Sequence, residues 1–238
     1  MQAIILAGGK GRRLRPYSTV IPKPLMPVGE LPILEIVLRQ LKHAGCNRVI
    51  LAIGYLGELF KAFFQDGGRF GLAIEYSLEE EPLGTAGPIA LNFDSLEENV
   101  LVMNGDLLTT LNYRRLFDFH CQKQAAATIA TYKRDVQIDF GVIESVDGTL
   151  SRYVEKPLYH YDVSMGVNVI NVKTAKRYLS PGKYCDLPEL MLMLHRDGHT
   201  VHCYQEPCFW LDIGRPDDYN IANDIFTARK SEFLPSAV

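Results

Sequence analysis

The sequence predicts an α/β fold: a mainly parallel central sheet flanked by helices, with an antiparallel elaboration in its second half. Three observations predict it. Short continuous apolar runs end at glycine or at Asn-Gly-Asp, as strands buried on both faces do. Segments of helical periodicity fall between those runs. From about residue 125 the rhythm changes to short strand-like stretches punctuated by Asp-Gly and proline. Alternation of strand and helix with short connections implies right-handed βαβ units and a parallel sheet.

Ala3 to Ala7 is apolar throughout and stops at Gly8-Gly9, which makes it the first buried strand. Ile33, Leu34, Val37, Leu38 and Leu41 then recur at helical spacing and end near Gly45. Val49–Ile53 reads as a second strand, and Leu56, Leu59, Phe60, Phe63 and Phe64 as an amphipathic helix closed by Gly67-Gly68. Leu72–Tyr76 and Val100–Met103 complete the parallel set, the latter running into Asn104-Gly105-Asp106. Beyond it, strands are expected at Ala127–Tyr132, Gly141–Val146, Leu150–Val154, Gly166–Val172 and Thr200–Gln205. Helices are expected around Leu187–His195 and after Pro216, and Asp147-Gly148 is a hairpin turn. No Ser/Gly-rich linker divides the chain, so residues 1–238 are read as one domain. Its halves are 1–124 and 125–238.

Composition narrows the function. The 238 residues are 47% hydrophobic and 22% charged, a globular balance, with a net charge of -3. That charge gives no basic surface for nucleic acid or an anionic membrane, so an anion site must be a local patch. The five cysteines are scattered without a C-x-x-C pair and read as reduced thiols. His195, His199 and His202 are close in sequence, but Gly198 interrupts any helix and there is no H-E-x-x-H. No apolar run approaches a membrane span or a secretory leader, and a cytoplasmic location is expected.

The chemistry concentrates at Leu6-Ala7-Gly8-Gly9-Lys10-Gly11-Arg12-Arg13-Leu14-Arg15-Pro16 and Pro22-Lys23-Pro24. Three glycines at a strand end let backbone approach a ligand closely and turn N–H groups onto anionic oxygens. Lys10, Arg12, Arg13 and Arg15 would repel one another without a counter-charge, which a polyphosphate supplies. A Walker A loop fails because Gly11 is followed by Arg12-Arg13; a dinucleotide fingerprint fails because Leu14 stands where its third glycine belongs.

This segment resembles the signature of the sugar-1-phosphate nucleotidyltransferases. The resemblance continues in order through Glu81-Pro82-Leu83-Gly84-Thr85-Ala86-Gly87, Asn104-Gly105-Asp106, Phe140-Gly141-Val142, Val154-Glu155-Lys156-Pro157 and Trp210-Leu211-Asp212-Ile213-Gly214. Within that family the chain is most similar to the mannose- and heptose-1-phosphate guanylyltransferase branches. The resemblance implies a Rossmann-like sheet with an antiparallel sugar-binding part, and attack of a sugar-1-phosphate on the α-phosphate of a nucleoside triphosphate with release of pyrophosphate. It implies Arg13 and Lys23 as catalytic residues and Asp106 and Asp212 as ligands of Mg2+. It further implies nucleotide contacts from Leu6, Ala7, Gly8, Gly9, Gly11, Glu79, Glu81, Pro82, Gly84 and Thr85. Sugar-phosphate contacts are implied for Gly105, Gly141, Glu155, Lys156 and Ser164.

A carboxylate can accept from guanine N1–H and its exocyclic amine together, so Glu79 or Glu81 favours GTP over UTP or dTTP. Ser164-Met165-Gly166 stands where much of the family has Asn-Ala-Gly, which leaves the sugar open. The expected partners are the triphosphate and a sugar-1-phosphate, with no nucleic acid or membrane; a homo-oligomer is compatible. The alternatives are a uridylyl- or thymidylyltransferase and a non-catalytic nucleotide-sugar-binding regulatory subunit. An inverting glycosyltransferase is disfavoured because Leu107-Leu108 follows Asp106 where an Asp-x-Asp would continue.

Overall fold

The computed structural model describes residues 1–9, 11–14 and 16–234. In chain order the elements begin with β1 (Gln2–Leu6), β2 (Pro27–Val28), β3 (Leu31–Pro32), α1 (Ile33–His43), β4 (Arg48–Ile53), α2 (Gly57–Phe64), β5 (Ala73–Leu78) and α3 (Gly87–Leu91). They continue with β6 (Asn99–Asn104), β7 (Leu107–Thr109), α4 (Tyr113–Lys123), β8 (Ala127–Gln137), β9 (Val142–Val146), β10 (Thr149–Val154) and β11 (Leu158–Asn171). The last are α5 (Val172–Ala175), α6 (Leu187–Arg196), β12 (Val201–Tyr204), β13 (Trp210–Asp212), α7 (Pro216–Ala228) and α8 (Lys230–Phe233).

Seven strands form the central sheet in the order β12-β8-β11-β6-β1-β4-β5. β6, β1, β4 and β5 are mutually parallel, β12 is parallel to β8, and β11 alone runs against both its neighbours. Strands from both halves of the sequence thus share one sheet. After β1 the chain builds outward through β4 and β5, then returns to place β6 on the other flank of β1. The order reverses at β1, and open α/β sheets bind ligands in the crevice beyond the strand ends at such a point.

β1 shows why continuous apolar runs mean burial on both faces. Its side chains alternate in direction. Ala3 and Ile5 pack with Leu34, Val37 and Leu38 of α1, Phe60 and Phe64 of α2, and Leu116 of α4. Ile4 packs on the opposite face with Ile89, Leu190 and Leu194 of α3 and α6. A third core joins Leu14, Met26, Val28 and Ile36 to Ile213, Ala222, Phe226 and Phe233. It clamps the C-terminal helices against the signature segment. At apolar burial of roughly 2 kcal/mol per large side chain, that clamp is strong enough to bring Asp212 beside residues almost two hundred positions earlier.

Beyond short unexpected elements such as β2, β3, β7, β13 and α3 and the extension of β8 to Gln137, three features differ from expectation. α4 was not anticipated, because its buried stripe of Tyr113, Leu116 and His120 carries a histidine where periodicity looks for an apolar residue. β11 begins at Leu158, well before Gly166, since its first half leaves the core and pairs with β8 as an exposed ribbon. A bulge between Ser164 and Asn168 separates the two halves, with Gly166 in a left-handed conformation. The third strand is shifted to Ala73–Leu78. The expected hairpin is present: Asp147 and Gly148 both have positive φ between β9 and β10.

His120 is 1% exposed and joins three elements. Its Nε2 lies 3.0 Å from Asn99 Oδ1 at the start of β6 and its Nδ1 lies 2.9 Å from Thr128 Oγ1 on β8. Asn171 Nδ2 donates to the same Asn99 oxygen at 3.1 Å, so that oxygen is the acceptor for a neutral ring protonated at Nε2. Burial, helped by the nearby His202, lowers the His120 pKa to about 4. A depressed histidine pKa favours the fold above the unfolded value near 6.5, and the benefit fades as pH falls toward 4. Wild-type protein is therefore expected to lose up to about 3 kcal/mol more over this interval than His120→Gln. Urea unfolding of both proteins at stepped pH checks this; equal pH dependence would contradict it.

Candidate functional site

A cleft of about 850 Å3 opens at the carboxyl ends of β1, β4, β5 and β6, where the strand order reverses. Leu6, Ala7, Gly8, Gly9 and Gly11 line it from the end of β1, and Gly54 and Tyr55 from the end of β4. Two glycines make the walls fit. A Cβ on Gly8 would lie 2.9 Å from Glu79 Oε1, and Gly11 has φ +56 with Ser18 packed against it. Ser18 Oγ donates to the Gly11 carbonyl at 2.7 Å and fixes that turn. Leu14, 1% exposed, anchors the following turn in the third core while Arg13 lines the cleft. Lys10, Arg15 and the Arg12 side chain, part of the expected cationic cluster, lie outside the described residues.

Lys23 is held in a short turn between Pro22 and Pro24, where Leu25 N–H bonds the Pro22 carbonyl and Met26 N–H bonds that of Lys23. Proline at both sides fixes φ and stiffens this turn. Its ammonium pairs with Asp106 and reaches Asp212 Oδ1 at 3.3 Å. Asp106 follows β6; Asp212 ends β13, whose antiparallel pairing with β7 sets Asp212 opposite Leu107. Gly105 is packed between Ile5, the Leu6 carbonyl and Pro24, and its N–H is bonded to Leu6. It positions Asp106 by close approach to the end of β1. Gly214 lies beside Arg13, whose Nη1 would be 3.6 Å from a Cβ there.

Electrostatics at this cluster are finely opposed. Burial pushes the Asp106 carboxyl up, Lys23 pulls it down, and the neighbouring Asp212 pushes it up again. Among the described residues, Asp106 Oδ1 is the buried side-chain oxygen left without a hydrogen-bond partner. An unpartnered carboxylate oxygen beside a second carboxylate fits a hard divalent cation, which prefers oxygen donors. No group of three or more His, Cys, Asp or Glu residues gathers for a metal among the described residues. A cation here would therefore need oxygens from substrate and water as well.

The nucleotide-loop residues are only partly where expected. Glu79, Pro82, Gly84 and Thr85 line the cleft, and Glu80 joins them, whereas exposed Glu81 does not line it. Glu79 Oε2 accepts the Leu83 N–H at 3.1 Å, and burial raises its pKa. Glu79 therefore holds the loop as well as facing the cleft. The Thr85 amide and hydroxyl both donate to Asp186 Oδ1 at 3.0 Å, so its polar groups turn to α6.

The expected sugar-phosphate residues Gly141, Glu155, Lys156 and Ser164 lie on the projecting ribbon and hairpin and do not line the main cleft. Tyr153 hydroxyl donates to Glu155 Oε2 at 3.2 Å and sits against Gly141. Ser164 Oγ accepts from Gly166 N–H at 3.3 Å within the bulge, which Trp210 Nε1 also secures through the Met165 carbonyl at 3.0 Å. Gly166 abuts Asn104, so the bulge joins the ribbon to the cleft floor. Tyr55, Gly54 and Asn104 were missed in the sequence. Gly54 and Asn104 carried the same signal as Gly8, a polar or glycine residue just past a buried strand. Tyr55, whose hydroxyl donates to the Thr19 carbonyl at 2.9 Å, had no such signal.

Because Lys23 separates two carboxylates, Lys23→Met should destabilise the fold by about 3 kcal/mol. That is the low end for breaking a buried pair, since Asp212 retains 43% side-chain exposure. Adding Asp106→Asn should recover part of the loss. Denaturant unfolding of the single and double variants measures both; a fully stable Lys23→Met would contradict the assignment.

The Nucleotidyl transferase family model matches residues 2–229. Mannose-1-phosphate guanyltransferase of Pichia angusta is 32% identical over 228 residues, covering 92% of this chain and 62% of the relative. The chain thus spans less than two thirds of that protein. D-glycero-alpha-D-manno-heptose 1-phosphate guanylyltransferase of Aneurinibacillus thermoaerophilus is 33% identical over 226 residues, covering 93% of this chain and 96% of the relative. The crystal structure of HddC from Yersinia pseudotuberculosis complexed with GMP-PN superposes with a TM-score of 0.74 at 25% identity, covering 94% of this chain and 99% of that one. The sheet, its reversal-point cleft and a family match along nearly the whole sequence agree: the chain belongs to the nucleotidyl transferase family.

Proposed function

We propose that this protein is a guanylyltransferase that joins a mannose- or heptose-type sugar-1-phosphate to GTP, giving a GDP-sugar and pyrophosphate. The observation that carries the reading is Lys23 clasped between Asp106 and Asp212 at the edge of a glycine-lined cleft that Arg13 also lines. The guanylyltransferase relatives favour GTP.

Two polyanions must meet in this reaction, and the negative charge on the attacked α-phosphorus must be neutralised. Gly8, Gly9 and Gly11 admit the triphosphate close to the backbone. Arg13 offers a planar guanidinium suited to paired phosphate oxygens, and Lys23 supplies a second cation beside the reacting phosphate. Asp106 and Asp212 are the residues that would hold Mg2+, which supplies Lewis-acid neutralisation of phosphate charge when bound. Glu79 and Glu80 provide carboxylates on the side of the cleft assigned to the base. Glu155 would accept from sugar hydroxyls and Lys156 would face the sugar phosphate, with Gly141 and Ser164 beside them. Because the ribbon stands outside the main cleft, sugar binding would bring those residues toward the nucleotide. The protein is read as cytoplasmic; among the described residues no helix is long and apolar enough to cross a membrane.

Pyrophosphate release screened over GTP, UTP, dTTP, ATP and CTP, each with mannose-1-phosphate or a heptose-1-phosphate, tests the reading. Turnover is expected with GTP and Mg2+; turnover confined to UTP or dTTP would overturn the base, and none with any pair would overturn the transferase. Asp106→Asn and Asp212→Asn should each lower kcat by at least about a thousandfold while circular dichroism shows the fold retained. Substantial Mg2+-dependent turnover in either variant would remove the two-carboxylate site.

A further inference from the structure

The loop Leu83–Gly87 is tied to a segment one hundred residues later by a set of bonds that the proposed chemistry does not itself require. Cys185 N–H donates to the Leu83 carbonyl at 3.0 Å, and the Cys185 carbonyl accepts from Ala86 N–H at 2.9 Å and Gly87 N–H at 3.2 Å. Gly84 has φ +75, and a Cβ there would lie 2.5 Å from the Cys185 carbonyl oxygen, so only glycine fits this approach. Asp186 Oδ1 accepts both the amide and the hydroxyl of Thr85, while Tyr184 hydroxyl donates to Asp186 Oδ2 at 2.6 Å. The Thr85 oxygen in turn accepts Leu187 N–H at 2.7 Å, capping the first turn of α6. The usual capping position belongs to Asp186, yet its side chain makes no cap bond. The two residues have exchanged partners: Thr85 caps the helix, and Asp186 holds Thr85.

This exchange places one carboxylate at the start of the loop, Glu79 on Leu83 N–H, and a second at its middle, Asp186 on Thr85. Between them the backbone of Leu83 to Thr85 has little freedom, and Gly84 and Thr85 line the cleft. We propose that Asp186 is a positioning residue for base selection, setting the height and orientation of the Gly84–Thr85 backbone through its grip on Thr85. The inference rests on the reading of this cleft as the GTP site and adds a residue to it from outside the nucleotide segment. Tyr184 steadies the carboxylate, and its hydrogen bond is the first cause of the lowered Asp186 pKa.

The test compares Asp186→Ala, Asp186→Asn, Thr85→Val and Thr85→Ser with wild type. GTP and UTP binding is measured by calorimetry, and KM by pyrophosphate release. Asp186→Ala is expected to raise the GTP Kd and KM about tenfold, leave the sugar-1-phosphate KM within about twofold and reduce the GTP-over-UTP preference. Asp186→Asn retains an acceptor at Oδ1 and should restore most of the loss; Thr85→Ser should likewise outperform Thr85→Val. An Asp186→Ala protein with unchanged GTP binding and preference would overturn the proposal. So would a loss shared equally by both substrates and unrelieved by asparagine, since that is mere structural damage. If wild type binds GTP but turns over no pair, the transferase reading falls and the binding comparison still decides the role of Asp186. If wild type binds no nucleotide, both fall.

Discussion

Everything in the site depends on one ammonium group held between two carboxylates. Lys23 comes from a proline-framed turn, Asp106 from the end of β6 and Asp212 from the end of β13. Carboxylates at such close quarters repel unless a cation lies between them. Folding therefore has to deliver three distant segments to one point. The third core does this by packing Leu14 and Met26 against Ile213, Phe226 and Phe233. The stability of the C-terminal helices and the geometry of the site are one problem.

The sheet supplies the second constraint. β1 is flanked by β4 on one side and β6 on the other, and the strand order reverses there. The crevice this opens is floored by Gly8, Gly54, Asn104 and Asp106. Small residues are needed there because three backbone segments converge: a Cβ on Gly54 would lie 3.3 Å from the Gly8 carbonyl. Opposite, the Leu83–Gly87 loop is fixed to α6, while Ser164 on the β8–β11 ribbon and Gly141, Glu155 and Lys156 beside the β9–β10 hairpin lie outside the cleft lining. A tethered loop on one side and an exposed ribbon on the other follow from which strands lie inside the sheet.

Much of this was legible in the sequence, for a physical reason. Strands buried on both faces have to be apolar throughout, so β1, β4 and β6 announce themselves and their end residues mark the cleft. Asp106 stands just past β6, whereas Arg13, Lys23 and Asp212 were marked by the family resemblance and stand at none of those three ends. The rest was hidden because its signal is tertiary. His120 disguised α4 by placing a hydrogen-bonded imidazole at a core position. The outer half of β11 is exposed and carries no burial pattern. Thr85 read as a nucleotide contact, yet its polar atoms face Asp186, a pairing that no local pattern encodes. Glu79 and Glu81 were equivalent as letters; only the fold shows that Glu79 lines the cleft and Glu81 does not.

The most direct measurement of the central claim is a crystal structure with a non-hydrolysable GTP analogue and Mn2+, read by anomalous scattering. The cation peak is expected beside Asp106 and Asp212, with the α-phosphate next to it and within reach of Arg13 and Lys23. A triphosphate bound away from Gly8–Gly11, or a cation remote from both aspartates, would contradict it.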